Sequence, residues 1–302
     1  MHLDGLVYIV TGGSSGLGLA TARDLLAKRA FVAVLDLNPP PAGSFTSSSS
    51  GSDAQNSTSP LTHGAPESVT AAERAERVFY AECDVGDEES VKDALGEVKS
   101  KWKERKWGGV VHCGGVGIAG KTVGHDGEPF SFDNFSEVHR INLLGTFLIA
   151  TQVASHLVQQ YLSSLHSSAS EPTSSRSPRP PQAEEDQGVI ILTSSVSATE
   201  GQMGQLAYAS SKAGVEGMVL PMARDLARYG VRVVCIAPSL FATSMGNNTP
   251  EKARTSLLST TLFPPRFGRA DEYAKLAVGI VENGYLNGGV IRIDGGSRMA
   301  KM

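Results

Sequence analysis

The fold is decided by Thr11-Gly12-Gly13-Ser14-Ser15-Gly16-Leu17-Gly18, which follows the apolar run at residues 6–10 and leads into a helical pattern at 19–29. Glycines at such a turn permit a tight bend, close approach of the backbone to a pyrophosphate and close packing of helix on strand. A glycine-rich turn alone is a weak signal, but a position between a strand and a helix is the context that identifies a dinucleotide site. We therefore expect Gly12, Gly16 and Gly18 to bind a dinucleotide.

Outside this turn, short β-branched runs alternate with helical stretches. The strand candidates are residues 6–10, 31–35, 110–112, 189–193, 231–236 and 290–293, and the main helical patterns are 19–29, 88–103 and 143–162. Nearly all of these strands are continuously apolar, which is typical of a parallel sheet covered on both faces. The alternation predicts an α/β fold with one doubly wound sheet, in a single domain spanning residues 1–302.

Two segments break this pattern, at about residues 39–70 and 163–187. Both are rich in Ser, Pro, Gly or Thr, and neither has the apolar periodicity that would give it a face to bury. We expect both to be solvated loop insertions that serve as spacers, with a partner or modification site as the alternative.

Composition excludes several classes of function. The net charge is -4 and no dense Lys/Arg block is present, so we expect small-molecule partners and no direct binding of nucleic acid or anionic membranes. The three cysteines are far apart and lack metal-ligand spacing, which predicts neither disulfides nor a metal site, in a reducing compartment. No apolar run approaches the roughly 18 to 20 residues that span a bilayer. The first strand begins too early to leave room for a cleavable leader.

The second strand ends at Asp36, about 20 residues beyond the glycines. A carboxylate there can bond the hydroxyls of an adenosine ribose, whereas a 2′-phosphate would meet a like charge. Ser14, Ser15, Leu37 and Asn38 supply no basic side chain to neutralise such a phosphate. NAD is therefore favoured over NADP as the cofactor.

A candidate catalytic group follows the fifth strand candidate. Ser195 lies 13 residues before Tyr208, and Lys212 lies four residues after it. In a helix, Tyr208 and Lys212 share a face, so the ammonium can lower the phenol pKa of about 10 toward the range useful for proton transfer. Ser195 can hydrogen-bond a substrate oxygen as charge develops on it. The three side chains predict acid-base chemistry on an alcohol or a ketone.

At these residues the sequence resembles the short-chain dehydrogenase/reductase family. Its pattern is T-G-x-x-x-G-x-G, an acidic residue after the second strand, and a Ser with Y-x-x-x-K. The resemblance covers nearly the whole chain except the two insertions, and it implies a seven-stranded Rossmann sheet of order 3-2-1-4-5-6-7 with helices on both faces. It also implies that Tyr208 is the proton donor or acceptor, that Lys212 holds the nicotinamide ribose, that Ser195 orients the substrate and that Asn142 supports a proton-relay water.

Longer stretches at residues 11–22, 200–208, 220–227 and 286–295 resemble one group in this family, the type 2 3-hydroxyacyl-CoA dehydrogenases (17β-hydroxysteroid dehydrogenase type 10). That resemblance implies NAD-dependent oxidation of (S)-3-hydroxyacyl-CoA to 3-ketoacyl-CoA by a mitochondrial homotetramer, with the cytoplasm as the alternative compartment. The implied cofactor-binding residues are Gly12, Ser15, Gly16, Leu17, Gly18, Asp36, Asp84, Val85, Cys113, Gly115, Tyr208, Lys212, Phe241 and Thr243. The implied substrate-binding residues are Ser195, Gln205 and Tyr208.

The chain departs from the family pattern at two positions, and two alternative functions are open. His112 occupies a position where the family has Asn, and Ser239 replaces a glycine. We expect His112 to be a packing residue at the strand end, with participation in the chemistry as the alternative, and the loss of Asn to loosen the local turn. A steroid or other small-alcohol dehydrogenase is an alternative on the same scaffold, because substrate choice depends on loops whose shape the sequence does not reveal. A non-catalytic scaffold subunit is the alternative from another class, and the intact Ser195, Tyr208 and Lys212 argue against it.

Overall fold

The structure is a computed structural model that describes residues 3–45, 70–168, 182–243 and 258–298. Seven parallel strands form one sheet of order β3-β2-β1-β4-β5-β6-β7, which confirms the predicted fold class and strand order. The strands are β1 (Val7–Thr11), β2 (Phe31–Asp36), β3 (Val78–Glu82), β4 (Trp107–His112), β5 (Gly188–Thr193), β6 (Val231–Pro238) and β7 (Val290–Ile293).

The strand β3 is the one that the apolar runs did not identify. It lies at the edge of the sheet, and only Ala81 among its five residues is fully buried. A strand buried on two faces reads as a continuous apolar run, whereas an edge strand such as Val78–Glu82 keeps polar and half-buried positions. The resemblance to the family predicted seven strands, and β3 completes that number.

Helices cover both faces of the sheet. They are α1 (Gly16–Ala27), α2 (Ala71–Arg77), α3 (Glu88–Lys101), α4 (Phe132–His139), α5 (Gly145–Ser168), α6 (Leu206–Leu226) and α7 (Ala270–Glu282). Alternate side chains of β1 point to opposite faces. Val7 and Ile9 join a core with α3, α5 and α6, whereas Tyr8 and Val10 join a second core with α1 and α7. Helices therefore cover both faces of the sheet, and loops follow the carboxyl ends of its strands.

The helix α5 is longer than its apolar pattern predicted. It continues to Ser168, so residues 163–168 are helical and the expectation of a loop there was wrong. Five of these six residues are Ser or His, so the stretch gives no periodic apolar signal. Residues 39–45 and 182–187 of the two insertions contain no helix or strand, as expected, and residues 46–69 and 169–181 lie outside the described residues.

Contrary to the expectation that no apolar run is long enough, length and composition alone would allow the stretch Phe132–His166 to cross a membrane. It combines α4, a π-helical segment (Arg140–Leu144) and most of α5. Ile149, Val153 and Leu157 in this stretch are fully buried in the core beside the sheet. Packing within the fold therefore accounts for the apolar character of these residues.

Candidate active site

A cleft of about 850 Å³ lies along the carboxyl ends of the strands. This is the edge where open α/β sheets place their ligands. All the residues that the sequence predicted for cofactor, substrate and catalysis line this cleft, except Asn142, which lies behind the wall. The structure therefore brings together residues that are up to 231 positions apart in the chain, from Gly12 to Thr243.

The glycine turn forms the floor at one end of the cleft. A Cβ on Gly12 would lie 2.9 Å from the amide nitrogen of Gly114, and the backbone of Gly12 has φ of 60°. A Cβ on Gly18 would overlap the carbonyl oxygen of Gly12. At the junction of β1, β4 and α1, a side chain at either position would clash with neighbouring backbone atoms, so both positions require glycine.

The N-terminus of α1 opens into the same end of the cleft. Its N-cap residue, Ser15, makes no side-chain capping hydrogen bond, and the first turn carries no acidic residue. Amide N–H groups at a helix start attract anions, because they lack partners within the helix and lie at the positive end of its dipole. Ser15 and Leu17, which line the cleft here, thus form a cradle that fits a pyrophosphate.

Asp36 lies at the end of β2, beside this cradle. Its carboxylate accepts hydrogen bonds from the backbone N–H groups of Ser14, at 3.1 Å, and Asn38, at 3.3 Å. These two bonds leave lone pairs on both oxygens, because each carboxylate oxygen can accept two bonds. Asp36 is therefore held in place while it can still accept from a pair of hydroxyl groups.

The candidate catalytic residues lie at the other end of the cleft. Ser195 follows β5, and its hydroxyl oxygen accepts a bond from the amide of Ser197 at 3.1 Å. The hydroxyl proton of Ser195 is therefore available for a second oxygen. The hydroxyl of Ser194 bonds the carbonyl oxygen of Lys212 at 3.1 Å and the carboxylate of Glu216 at 2.9 Å, which fixes α6 against the end of β5.

Lys212 and Tyr208 share a face of α6, as their spacing predicted. The Lys212 ammonium lies 5.9 Å from the centroid of the Tyr208 ring and donates a hydrogen bond to the backbone carbonyl of Thr193 at 2.8 Å. A Cβ on Gly115 would lie 3.4 Å from the same ammonium nitrogen and 3.1 Å from the side-chain oxygen of Asn142, so Gly115 packs closely against both side chains. The lysine, the phenol and Gly115 therefore form one wall of the cleft.

The pKa values differ from the expectation for this pair. Burial raises the pKa of the Tyr208 phenol above its ordinary value, and the hydrogen bond with Ser195 only partly opposes that shift. Burial also lowers the pKa of Lys212 to about 8. The expected lowering of the phenol pKa by the ammonium is thus absent in the protein alone, because the ammonium is directed to Thr193 and the phenol is desolvated.

Asn142 lies in the π-helical segment between α4 and α5. π-helical turns are rare and often occur at functional sites. Its fully buried amide accepts a bond from the backbone N–H of Val116 at 2.8 Å and donates to the carbonyl of Val116 at 2.9 Å and to Ser211 at 3.1 Å. Asn142 therefore joins the loop after β4 to α6, immediately behind the cleft.

The remaining predicted residues lie between the two ends of the cleft. The thiol of Cys113 contacts the hydroxyls of Tyr273 and Thr193 at 3.7 and 3.9 Å, and burial raises its pKa to about 11. The ring of Phe241 packs edge-on against Tyr273, and the side chain of Thr243 approaches Gly16. The side-chain oxygen of Gln205 accepts from the amide of Gln202 at 2.9 Å. Because its pKa is raised to about 11, the Cys113 thiol is protonated near neutral pH, and it forms part of the cleft wall.

His112 is a buried packing residue at the end of β4, as predicted. Its ring Nδ1 is 2.7 Å from the hydroxyl oxygen of Thr11, and both side chains are fully buried. The same hydroxyl accepts from the amide of Gly114 at 3.3 Å. Burial, and secondarily the charge of Lys212, lower the pKa of His112 to about 3, so its ring is neutral. The imidazole thus joins the ends of β4 and β1 through Nδ1, whereas its buried Nε2 has no hydrogen-bond partner among the described residues.

Sequence reasoning missed two charged residues of the cleft, Glu137 and Arg140. The Arg140 guanidinium bonds both oxygens of Glu137, at 2.8 and 2.9 Å, and one oxygen of Asp84 at 3.0 Å. The contact with Asp84 joins residues 56 positions apart, so no local pattern predicts it. Only the position of Arg140, two residues before Asn142, could have drawn notice.

Comparisons with known proteins agree with this geometry. The family described as Enoyl-(Acyl carrier protein) reductase matches residues 52–174 and 173–298. The chain is 38% identical over 296 residues to 3-hydroxyacyl-CoA dehydrogenase type-2 of Homo sapiens, covering 98% of this chain and 96% of that protein. It is 38% identical over 294 residues to the Drosophila melanogaster protein of the same name, covering 97% of each.

Among solved structures, the chain is similar to the crystal structure of 3-hydroxyacyl-CoA dehydrogenase type-2 from Mycobacterium avium. The TM-score is 0.75 at 28% identity, and the match covers 99% of this chain and 98% of that one. The strand order and the near full-length relatives agree with the motifs around the cleft. The protein is a dehydrogenase, and it belongs to the short-chain dehydrogenase/reductase family.

Proposed function

We propose that the protein uses NAD to interconvert a secondary alcohol and a ketone, with (S)-3-hydroxyacyl-CoA and 3-ketoacyl-CoA as its substrate pair. One observation carries the proposal. Ser195, Tyr208 and Lys212 meet at one end of a continuous cleft, and the glycine turn with the open N-terminus of α1 lies at the other end. A dinucleotide that occupies the cleft can extend from the anion cradle to the acid-base group.

The choice of NAD rests on Asp36. Members of this family generally use NAD or NADP. Among the described residues that line the cleft, only Arg140 and Lys212 are basic. Arg140 is paired with Glu137 and Asp84, and Lys212 is bonded to Thr193, so neither is available to neutralise a phosphate beside Asp36. The carboxylate favours a ribose with free hydroxyls and disfavours a 2′-phosphate by charge repulsion.

The chain's own residues supply the proton chemistry. Bound NAD contributes a hydride acceptor at its nicotinamide ring. Ser195 can redirect its hydroxyl proton from Tyr208 to the substrate oxygen, which holds that oxygen near Tyr208. In alcohol oxidation the Tyr208 oxygen accepts the hydroxyl proton, and in ketone reduction it returns that proton. Lys212 shares the helix face of this phenol, and we propose that its ammonium bonds the nicotinamide ribose of the bound cofactor.

The substrate class comes from the relatives. The proteins from Homo sapiens and Drosophila melanogaster are both named 3-hydroxyacyl-CoA dehydrogenase type-2, and each aligns with nearly the whole chain. By the same likeness we propose a homotetramer that works in mitochondria, in fatty-acid or branched-chain amino-acid breakdown. Sedimentation of the purified chain tests the assembly, and fractionation of cells that express it tests the compartment.

The test of the substrate class uses the near-ultraviolet absorbance of NADH. Purified protein is mixed with NADH and either acetoacetyl-CoA or a steroid ketone, with NADPH as the cofactor control. We expect consumption of NADH with the thioester, little consumption with the steroid and little with NADPH. Turnover of the steroid alone would support the small-alcohol alternative. NADH binding without turnover of either ketone would support the scaffold alternative.

A further inference from the structure

A charged cluster lies on the cleft wall away from the catalytic residues. It consists of Asp84, Glu137 and Arg140, and all three side chains line the cleft. The Arg140 guanidinium bonds Glu137 in a bidentate manner and reaches across to Asp84 at 3.0 Å. Neither the motifs of the chain nor the proton chemistry at Tyr208 assigns a role to Glu137 or Arg140.

Asp84 is fixed on both of its oxygens. One oxygen accepts from the amide of Gly86 at 2.9 Å, and the other accepts from Arg140. Gly86 adds to this arrangement, because a Cβ there would overlap the guanidinium. The guanidinium therefore packs closely against Gly86 in the turn after β3, and the two hydrogen bonds hold the carboxylate in a single orientation.

The orientation of Asp84 matters because a carboxylate accepts hydrogen bonds and cannot donate them when ionised. With one bond on each oxygen, Asp84 keeps lone pairs that can accept from an amino group in the cleft. An adenine base presents such an amino group, whereas hypoxanthine presents a carbonyl oxygen at the same position, and a carboxylate repels that oxygen. A mobile carboxylate would distinguish the two bases less well, because discrimination depends on fixed geometry.

Electrostatics support the same arrangement. The hydrogen bonds to Arg140 lower the pKa of Glu137, and they raise the pKa of the guanidinium. Without Arg140, two carboxylates would line the same wall with no cation between them. Asp84 would then be repelled by Glu137 and would lose the donor that fixes its second oxygen.

We propose that Arg140 is a positioning residue for base recognition: it fixes Asp84 so that the dinucleotide site prefers adenine over hypoxanthine. This inference rests on the proposed dinucleotide-binding function. Arg140 acts through Asp84, and the catalytic residues are at the other end of the cleft. Its loss should therefore change cofactor binding much more than the turnover number.

The test measures two quantities in Arg140→Gln and in Arg140→Lys. The first is the Kd of ADP-ribose by calorimetry, and the second is the ratio of kcat/KM for NAD to that for nicotinamide hypoxanthine dinucleotide. Arg269→Gln is the matched control, because Arg269 also pairs with two carboxylates, Asp271 and Glu272, but does not line the cleft. Thermal unfolding of each variant checks that it folds.

We expect Arg140→Gln to weaken ADP-ribose binding about fivefold, the size of one ordinary hydrogen bond, and to lower the base preference by a similar factor. Arg140→Lys should retain part of both, Arg269→Gln should match the wild type, and kcat with NAD should stay within about twofold. An unchanged base preference in Arg140→Gln overturns the inference, even if binding weakens. If Arg140→Gln does not fold, Arg140→Lys provides the test. A wild-type base preference together with a wild-type Kd for ADP-ribose in Arg140→Lys overturns the inference. A wild-type protein that fails to bind ADP-ribose contradicts instead the proposed function.

Discussion

The ammonium nitrogen of Lys212 and the carbonyl oxygen of Thr193 are joined by a 2.8 Å hydrogen bond. This bond links α6 to the end of β5, so it holds the lysine beside the cleft. The spacing of Tyr208 and Lys212 did not predict this bond. The two side chains share a helix face, but the nearest acceptor for the ammonium is a backbone carbonyl from another element.

Burial of Lys212 makes the stability of the protein depend on pH. Its pKa falls to about 8 in the folded chain from an ordinary value of 10.5. Between these values the unfolded chain binds a proton that the folded chain does not, so this group's contribution to stability rises with pH. We expect the unfolding free energy of Lys212→Met minus that of the wild type to fall as pH rises from about 8 to about 10, by at most about 1.4 kcal/mol per pH unit. Denaturant titrations across this range measure the difference, and a constant difference would contradict the assignment.

His112 should make the protein sensitive to acid. Its pKa is about 3 in the folded chain, against an ordinary 6.5, so the unfolded chain takes up a proton first as pH falls. Stability from this group is present above pH 6.5 and is lost as pH falls toward 3. We expect His112→Asn to lose less stability than the wild type over that interval.

The control for this prediction is His166→Asn, at an exposed position of α5. An exposed ring is hydrated in both states, so this variant should follow the wild type on acidification. Acid-induced unfolding followed by circular dichroism gives the comparison. Equal acid sensitivity of His112→Asn and the wild type would mean that the histidine is not buried in its neutral form.

Gly18 should not tolerate a side chain. A Cβ there would overlap the carbonyl oxygen of Gly12, so Gly18→Ala must displace either the turn or α1. We expect loss of NADH binding together with a lower melting temperature. Gly96→Ala is the control: Gly96 lies in α3 with nothing within 4 Å of an added Cβ, and alanine there should stabilise the helix by up to about 1 kcal/mol. NADH fluorescence and thermal unfolding report both effects, and normal binding by Gly18→Ala would contradict the proposed cradle.

Asp36 should set the preference for NAD over NADP. Removing the carboxylate in Asp36→Ala takes away both the acceptor for the ribose hydroxyls and the charge that repels a 2′-phosphate. The ratio of kcat/KM with NAD to that with NADP should therefore fall by about tenfold or more. Steady-state kinetics with both cofactors measure the ratio, and an unchanged ratio would remove Asp36 from the proposed role.

Local sequence patterns predicted the parts of the fold that have a local cause. Continuous apolar runs identified the strands buried on both faces, and the glycine turn was placed correctly because its neighbours are a strand and a helix. The edge strand β3 lacks such a run, and residues 163–168 of α5 are mostly Ser and His, so neither has a periodic apolar signal. Both depend on packing partners that are distant in the chain.

The same distinction applies to the candidate site. Most of its residues belong to motifs, and the cleft brings them together as a set. What the motifs do not contain is the set of contacts between elements: Arg140 with Asp84, His112 with Thr11, and Lys212 with Thr193. His112 is instructive, because a departure from the family pattern suggested a looser turn, whereas the imidazole forms a hydrogen bond that the sequence could not reveal.

The central claim is that the Tyr208 phenol transfers the proton. The direct measurement compares Tyr208→Phe with the wild type in two assays, NADH binding by fluorescence and NADH oxidation with acetoacetyl-CoA. Phenylalanine keeps the ring and removes only the hydroxyl, so binding should stay within about twofold while turnover falls by at least about 100-fold, the usual contribution of a positioned acid or base. A Tyr208→Phe protein that binds NADH and turns over the thioester at the wild-type rate would contradict the account.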